Sequence, residues 1–119
     1  MEQIVDLTGR RHVYMTVILE LGGEDVTLHV TEPTRRLMHH LDAFTVAVGE
    51  HADATDLDGM DALTDALYEV TARILSQNDE GREVGVEEAE EALSAGECWH
   101  VRNTYLGFVA QQTEALAKN

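Results

Sequence analysis

A chain of 119 residues supports one domain, and domains of this size bury roughly two thirds of the surface their unfolded chains expose. Twenty-three carboxylates against eight Lys and Arg give a formal charge of −15, which repels phosphate backbones and anionic membrane surfaces, so direct nucleic-acid binding is not expected. Hydrophobic residues make up 44% but aromatic ones only 5%, so the core has to be built from Leu, Val, Ala and Ile, a composition that suits helices.

The charge is uneven. Residues 50–97 hold 15 acidic side chains against Arg73 and Arg82, a balance of −13. Cys98 is the only cysteine, so no internal disulfide can form and a reducing cytoplasm is the expected setting. The N-terminus lacks a basic stretch followed by an apolar run, and no segment approaches the ~20 apolar residues of a membrane span, so neither export nor a membrane is expected.

In chain order, Ile4, Val5 and Leu7 offer a candidate third strand, with residues 8–11 as the turn that follows it. Val13, Met15, Val17, Leu19 and Leu21 then alternate with Tyr14, Thr16, Ile18 and Glu20, the period of two of a half-buried strand. Val26, Leu28 and Val30 repeat the alternation after Gly22-Gly23, a pair able to take the positive φ angles of a tight hairpin turn. If Leu21 faces Glu24, then Leu19 faces Val26, Val17 faces Leu28 and Met15 faces Val30, and the apolar sets of both strands share one face. Residues 1–31 therefore read as an antiparallel β-hairpin region.

Pro33 suits the first turn of a helix, and Leu37, Leu41, Phe44 and Val48 follow at spacings of three or four, which predicts a helix over 33–48. Residues 49–59 break the pattern with Asp, Ala and Thr and read as an acidic loop. A helical region over 60–117 follows. Its first stripe is Met60, Leu63, Leu67, Val70, Ile74 and Leu75, with Asp61, Asp65, Glu69 and Arg73 opposite. Gly81 fits a helix stop, and Glu87, Glu88, Glu90 and Glu91 fall where negative charge complements the dipole of a short helix ending at Leu93. A last helix, starting near Glu97, carries Val101, Tyr105, Phe108 and Val109 on one side, Leu116 further along, and Trp99 and Leu106 at its margins; residues 117–119 are expected to fray. The expected fold class is α+β, an N-terminal antiparallel hairpin of two or three strands and about four helices. One core is expected to take in Val17, Leu19, Val26, Leu28, Leu37, Leu41, Phe44, Leu63, Leu67, Val70 and Ile74.

The candidate chemistry is thin. Asp56-x-Asp58-Gly59 with Asp65 has the look of a calcium loop, but Ala54 stands at the first ligand position and Asp65 is a residue shorter than the bidentate Glu such loops use. His39 and His40 are adjacent, hence about 100° apart on a helix, so they cannot share a zinc ion on one face; His40 is expected beside the Leu37/Leu41/Phe44 face and His39 in solvent. Cys98 and His100 project differently from a helix, and four clustered glutamates at a helix start stay solvated, so neither group makes a nucleophilic or acid/base site. No phosphate loop or serine elbow occurs. The expectation is a non-enzymatic protein with no cofactor and no metal. Trp99, Tyr105 and Phe108 are the candidate protein-contact residues, with burial in the core as the alternative account of all three.

The segment Ile74-Leu75-Ser76-Gln77-Asn78, followed by Gly81, an extended piece at residues 84–86, the acidic run from Glu87, and Tyr105-Leu106-Gly107-Phe108, resembles the tail assembly chaperones of long-tailed bacteriophages and prophages. In that family a hairpin and a helix precede a helix ending in an Ile-Leu-Ser-x-Asn run, a Gly-containing turn, an acidic helix and a helix with a Tyr-x-x-Phe pair. Gly85 stands where the family pattern leads one to expect a Ser or Thr cap, and Ala89 where it leads one to expect a larger apolar residue. The resemblance implies a protein of the bacterial host cytoplasm that coats the tape measure protein, keeps it soluble, helps recruit tail tube protein and self-associates as a homo-oligomer. It carries over no catalytic residues. A second class fits the same composition: an acidic regulatory or inhibitor protein that imitates DNA to occupy one basic partner.

Overall fold

The computed structural model describes residues 2–6, 11–51 and 57–117. Its two strands, β1 (Val13–Leu21) and β2 (Glu24–Thr31), form an antiparallel hairpin. Gly22 and Gly23 have φ of 61° and 83°, the pair of left-handed residues that lets a two-residue turn match the twist of its strands. The register is Leu21 with Glu24, Leu19 with Val26, Val17 with Leu28 and Met15 with Val30, as the alternation predicts. Leu19, Leu21, Leu28 and Val30 are buried, while Thr16, Ile18, Glu20 and Thr27 face solvent.

Two sequence expectations fail in this region. Tyr14 belongs by alternation to the solvent face, yet it is buried. An irregularity in the ladder between Val13 and Met15 adds a residue to β1 and turns the ring inward. The third strand fails too: residues 2–6 have no regular structure and Ile4 and Val5 are exposed, while Leu7 lies outside the described residues. The outer edge of β2 is met instead by residues 77–80. Thr31 N–H donates to the Gln77 carbonyl at 2.8 Å and Asp79 N–H to the His29 carbonyl at 3.0 Å, and His29 N–H donates to Glu80 Oε1 at 2.8 Å. Pairing across so long a sequence separation leaves no local pattern.

Four helices follow the hairpin. In α1 (Arg35–Glu50) the cap is Thr34, whose Oγ1 accepts the Leu37 N–H at 3.2 Å, so Pro33 precedes the cap and is not in the first turn. Leu37, Leu41 and Phe44 are the buried face. Because α1 reaches Glu50 and α2 spans Leu57–Ser76, the expected 49–59 loop is shortened from both ends; residues 52–56 lie outside the described residues. Asp58 and Gly59 are in the first turn of a helix, a backbone unlike a calcium loop.

α2 packs against α1, α4, β2 and the short helix α3 (Val86–Ala92). It buries Leu67, Val70, Thr71, Ala72, Ile74 and Leu75, and the buried Thr71 hydroxyl is satisfied by the Leu67 carbonyl at 2.8 Å. Gly81, with φ 70°, allows the reversal after α2, and two side chains hold it. Asn78 Nδ2 donates to the Leu75 and Arg82 carbonyls, both at 2.7 Å, and Asn78 Oδ1 accepts the Arg82 N–H at 2.9 Å. Ser76 Oγ accepts the Val84 N–H at 2.9 Å, and its single proton lies between the carbonyls of Ala72 and Val84, 2.8 and 3.1 Å away. Asn78→Ala removes three of these bonds and is expected to cost about 1 to 3 kcal/mol. Asn78→Asp keeps only the acceptor. Urea unfolding of both variants checks this, with the aspartate variant expected between wild type and alanine.

Gly85 is the N-cap of α3 and has no side chain with which to cap it. Glu88 compensates: its Oε1 accepts the Gly85 N–H at 3.1 Å while its Oε2 pairs with Arg82 at 2.9 Å. Ala89 is fully buried, its small side chain letting α3 lie close. The last helix, α4 (Ala95–Ala117), starts two residues before Glu97. Ser94 Oγ accepts the Glu97 N–H at 3.2 Å and Glu97 Oε1 accepts the Ser94 N–H at 2.8 Å, a reciprocal capping box that the Ser94-x-x-Glu97 spacing announces. Leu19, Leu28, Leu37, Leu41, Phe44, Leu67, Val70 and Ile74 form one buried cluster, with Val17, Val26 and Leu63 half-buried against it.

Candidate protein-binding surfaces

The three aromatic residues singled out on α4 have different fates. Tyr105 is fully buried and its hydroxyl donates to the Thr31 carbonyl at 2.7 Å. Its ring lies 5.6 Å from that of Tyr14. Burial, reinforced by Tyr14 and Glu32, pushes its pKa well above the ordinary tyrosine value. Tyr105 is therefore a tie between α4 and β2, and its expected place as a contact residue is corrected to the core. Phe108 is half-buried, stacked on Tyr14 at 5.7 Å and 29°.

Trp99 is also half-buried, 5.5 Å from the ring of Phe44. The Arg102 guanidinium lies over both rings, 5.3 Å from Phe44 and 5.8 Å from Trp99. It also donates to Thr45 Oγ1 and Asn103 Oδ1, each at 3.0 Å. This cation–π cluster seals the seam between α1 and α4. Sequence reasoning missed Arg102, although its i,i+3 spacing from Trp99 puts the two on one helix face.

A cleft of about 420 Å³ runs between the start of α1, the end of α2, residues 83–85 and Val86 at the head of α3, where the sequence pattern predicts an extended piece over 84–86. Leu37, Ala72 and Val84 give it an apolar floor, and Arg36, His40 and Arg73 stand along it. Desolvation, and then Arg73 and Arg36, lower the His40 pKa, which favours the neutral imidazole. Glu69 and Glu83 also line the cleft, and Glu69 pairs with Arg73 at 3.3 Å, so its fixed charges balance. His39 is exposed, as expected, and the two histidines diverge.

Cys98 is fully buried and burial pushes its thiol up, while His100 is exposed; the pair does not form a nucleophile and base. Among the described residues no group of three or more His, Cys, Asp or Glu is placed to hold a metal ion, and no helix is long and apolar enough to cross a membrane. The contact between His29 Nδ1 and Glu80 Oε2, 2.6 Å, is the shortest polar link between the sheet and the turn after α2. It holds the Glu80 carboxyl below the usual carboxylate range.

Comparison of the chain with protein-family models, with curated proteins and with solved structures gives no match. What the molecule itself offers to a partner is apolar surface on an acidic body. Ile18 is 73% exposed on the hairpin, and Val46 of α1 and Met60 of α2 are exposed as well. Asp61 and Asp65 of α2, and Glu87, Glu90 and Glu91 of α3, are exposed carboxylates.

Proposed function

We propose that this protein is a non-enzymatic assembly chaperone of the phage tail type, working in the bacterial host cytoplasm, that binds the tape measure protein, keeps it soluble, helps recruit tail tube protein and self-associates. The observation that carries this reading is the order of elements around one turn. A hairpin and a helix precede α2, which ends in Ile74-Leu75-Ser76-Gln77-Asn78; Ser76 and Asn78 hold the reversal, and the acidic α3 and the Tyr105/Phe108-bearing α4 follow. Exposed carboxylates on α2 and α3 keep a multivalent complex soluble. The half-buried Trp99 and Phe108 remain candidate contacts, because residues that bury part of an aromatic ring and expose the rest commonly serve at interfaces.

Co-expression with the tape measure protein encoded beside it tests the reading. The expected result is that the long helical partner becomes soluble and co-purifies. A partner that stays insoluble and separate removes the chaperone assignment. A tight stoichiometric complex with a basic nucleic-acid-binding protein would put the acidic inhibitor in its place.

A further inference from the structure

The two edges of the hairpin are treated differently by the fold. The His29–Thr31 end of the β2 edge is occupied by residues 77–80, through the bonds from Thr31 to Gln77, Asp79 to His29 and His29 to Glu80. On the outer side of β1 no strand is paired among the described residues. The geometry of that open edge follows from His29. Both its N–H and its C=O bond outward, so it sits at a non-hydrogen-bonded position of the β1–β2 ladder. Its register partner is Thr16, and the alternation carries the same property to Ile18, opposite Thr27, and Glu20, opposite Asp25. Thr16, Ile18 and Glu20 therefore turn their backbone groups away from β2.

Sheet edges are ordinarily guarded by charge, proline, a bulge or brevity. β1 has nine residues, Val-Tyr-Met-Thr-Val-Ile-Leu-Glu-Leu, with no Pro, no Lys and the single charge of Glu20. Its one bulge is at the far end, between Val13 and Met15. The exposed side chain in the middle of the edge is Ile18.

We propose that this edge pairs with the same edge of a second copy: β1 against β1, antiparallel, about a two-fold axis at Ile18. In that register Ile18 lies opposite Ile18 of the second copy and the two most exposed apolar side chains of the sheet cover each other. Thr16 lies opposite Glu20 of the second copy, a hydroxyl beside a carboxylate. Val17 and Leu19, on the core face, lie opposite one another. Charge decides the partner and the direction. A parallel arrangement would set Glu20 beside Glu20, and pairing with β2 of another copy would bring Glu24 and Asp25 to the seam, whereas the antiparallel β1 pair puts no like charges opposite. The contact is isologous, so assembly through this edge stops at a dimer and does not propagate as a fibre, and residues 77–80 cap the His29–Thr31 end of each outer β2 edge.

The proposal deepens the self-association in the reading above and rests on that part of it alone. Sedimentation equilibrium of the full chain is the test. Wild type is expected to dimerise, with the dimer fraction rising with salt as the repulsion between two strongly acidic chains is screened. Ile18→Lys and Ile18→Glu each place like charges across the axis and are expected to be monomeric at concentrations where wild type is a dimer, while an equimolar mixture of the two recovers a heterodimer. At concentrations low enough for wild type to be monomeric, both should keep the wild-type urea midpoint, because the side chain is exposed. A wild type that is monomeric at every salt concentration, an assembly that Ile18→Lys does not weaken, or a mixture no more associated than its parts would overturn the pairing. Co-purification of the tape measure protein is read separately: a dimer that leaves that partner insoluble keeps this edge and removes the chaperone reading.

Discussion

Leu67→Ala is expected to cost about 2 to 5 kcal/mol, the range for emptying a well-packed leucine site that cannot fully collapse. Leu67 is 2% exposed and sits on α2, the helix that packs against α1, α3, α4 and β2, so the cavity is walled by elements that cannot all move inward. Against a total stability of about 5 to 15 kcal/mol for a domain this size, the loss is a large share. Urea unfolding should show a lower midpoint with an unchanged slope. Leu63, one turn earlier and only half-buried, should lose less when changed to Ala. A midpoint unchanged in Leu67→Ala would mean that this side of α2 does not face the core.

Tyr105→Phe is expected to cost about 1 to 3 kcal/mol, because it strips the hydroxyl from the Thr31 carbonyl in a site with no access to water. Tyr105 and Thr31 are both fully buried. The variant also predicts a pH signature. Burial raises the Tyr105 pKa in the folded chain, so the unfolded state releases that proton first. The hydroxyl's contribution is present in full below the unfolded tyrosine pKa of about 10 and is lost as pH rises from there toward the higher folded value, at up to about 1.4 kcal/mol per pH unit. Tyr14, Tyr68 and Cys98 are raised by burial as well and share in the alkaline loss. Urea midpoints followed upward from pH 9 should therefore fall for both proteins but less steeply for Tyr105→Phe. Equal slopes would show that the hydroxyl reaches solvent.

The same residue shows how far the candidate contact surface was legible. Tyr105 and Phe108, three apart on α4, look equivalent in the sequence. Only the placement of β1 and β2 distinguishes them: the Thr31 carbonyl takes the Tyr105 hydroxyl, and the Tyr14 ring takes one side of Phe108 and leaves part of it open. Trp99 is half-buried, and while the i,i+3 spacing sets Arg102 beside it on α4, the cluster is complete only where Phe44 of α1 lies alongside.

Local order was legible in the residues alone. The hairpin register follows from a period of two on each side of a two-glycine turn, the buried faces of α1 and α2 from apolar residues at spacings of three and four, and the turn after α2 from the run Asn78 to Gly81, because each depends on residues within a turn or a strand pair of one another; the helix itself ends at Ser76, before Gly81. The inward rotation of Tyr14 onto α4, the capping of the His29–Thr31 end of β2 by residues 77–80 and the His29–Glu80 contact come from tertiary structure alone. Each joins residues far apart in the chain, and a side chain's use is then set by the surface it meets, which periodicity does not encode.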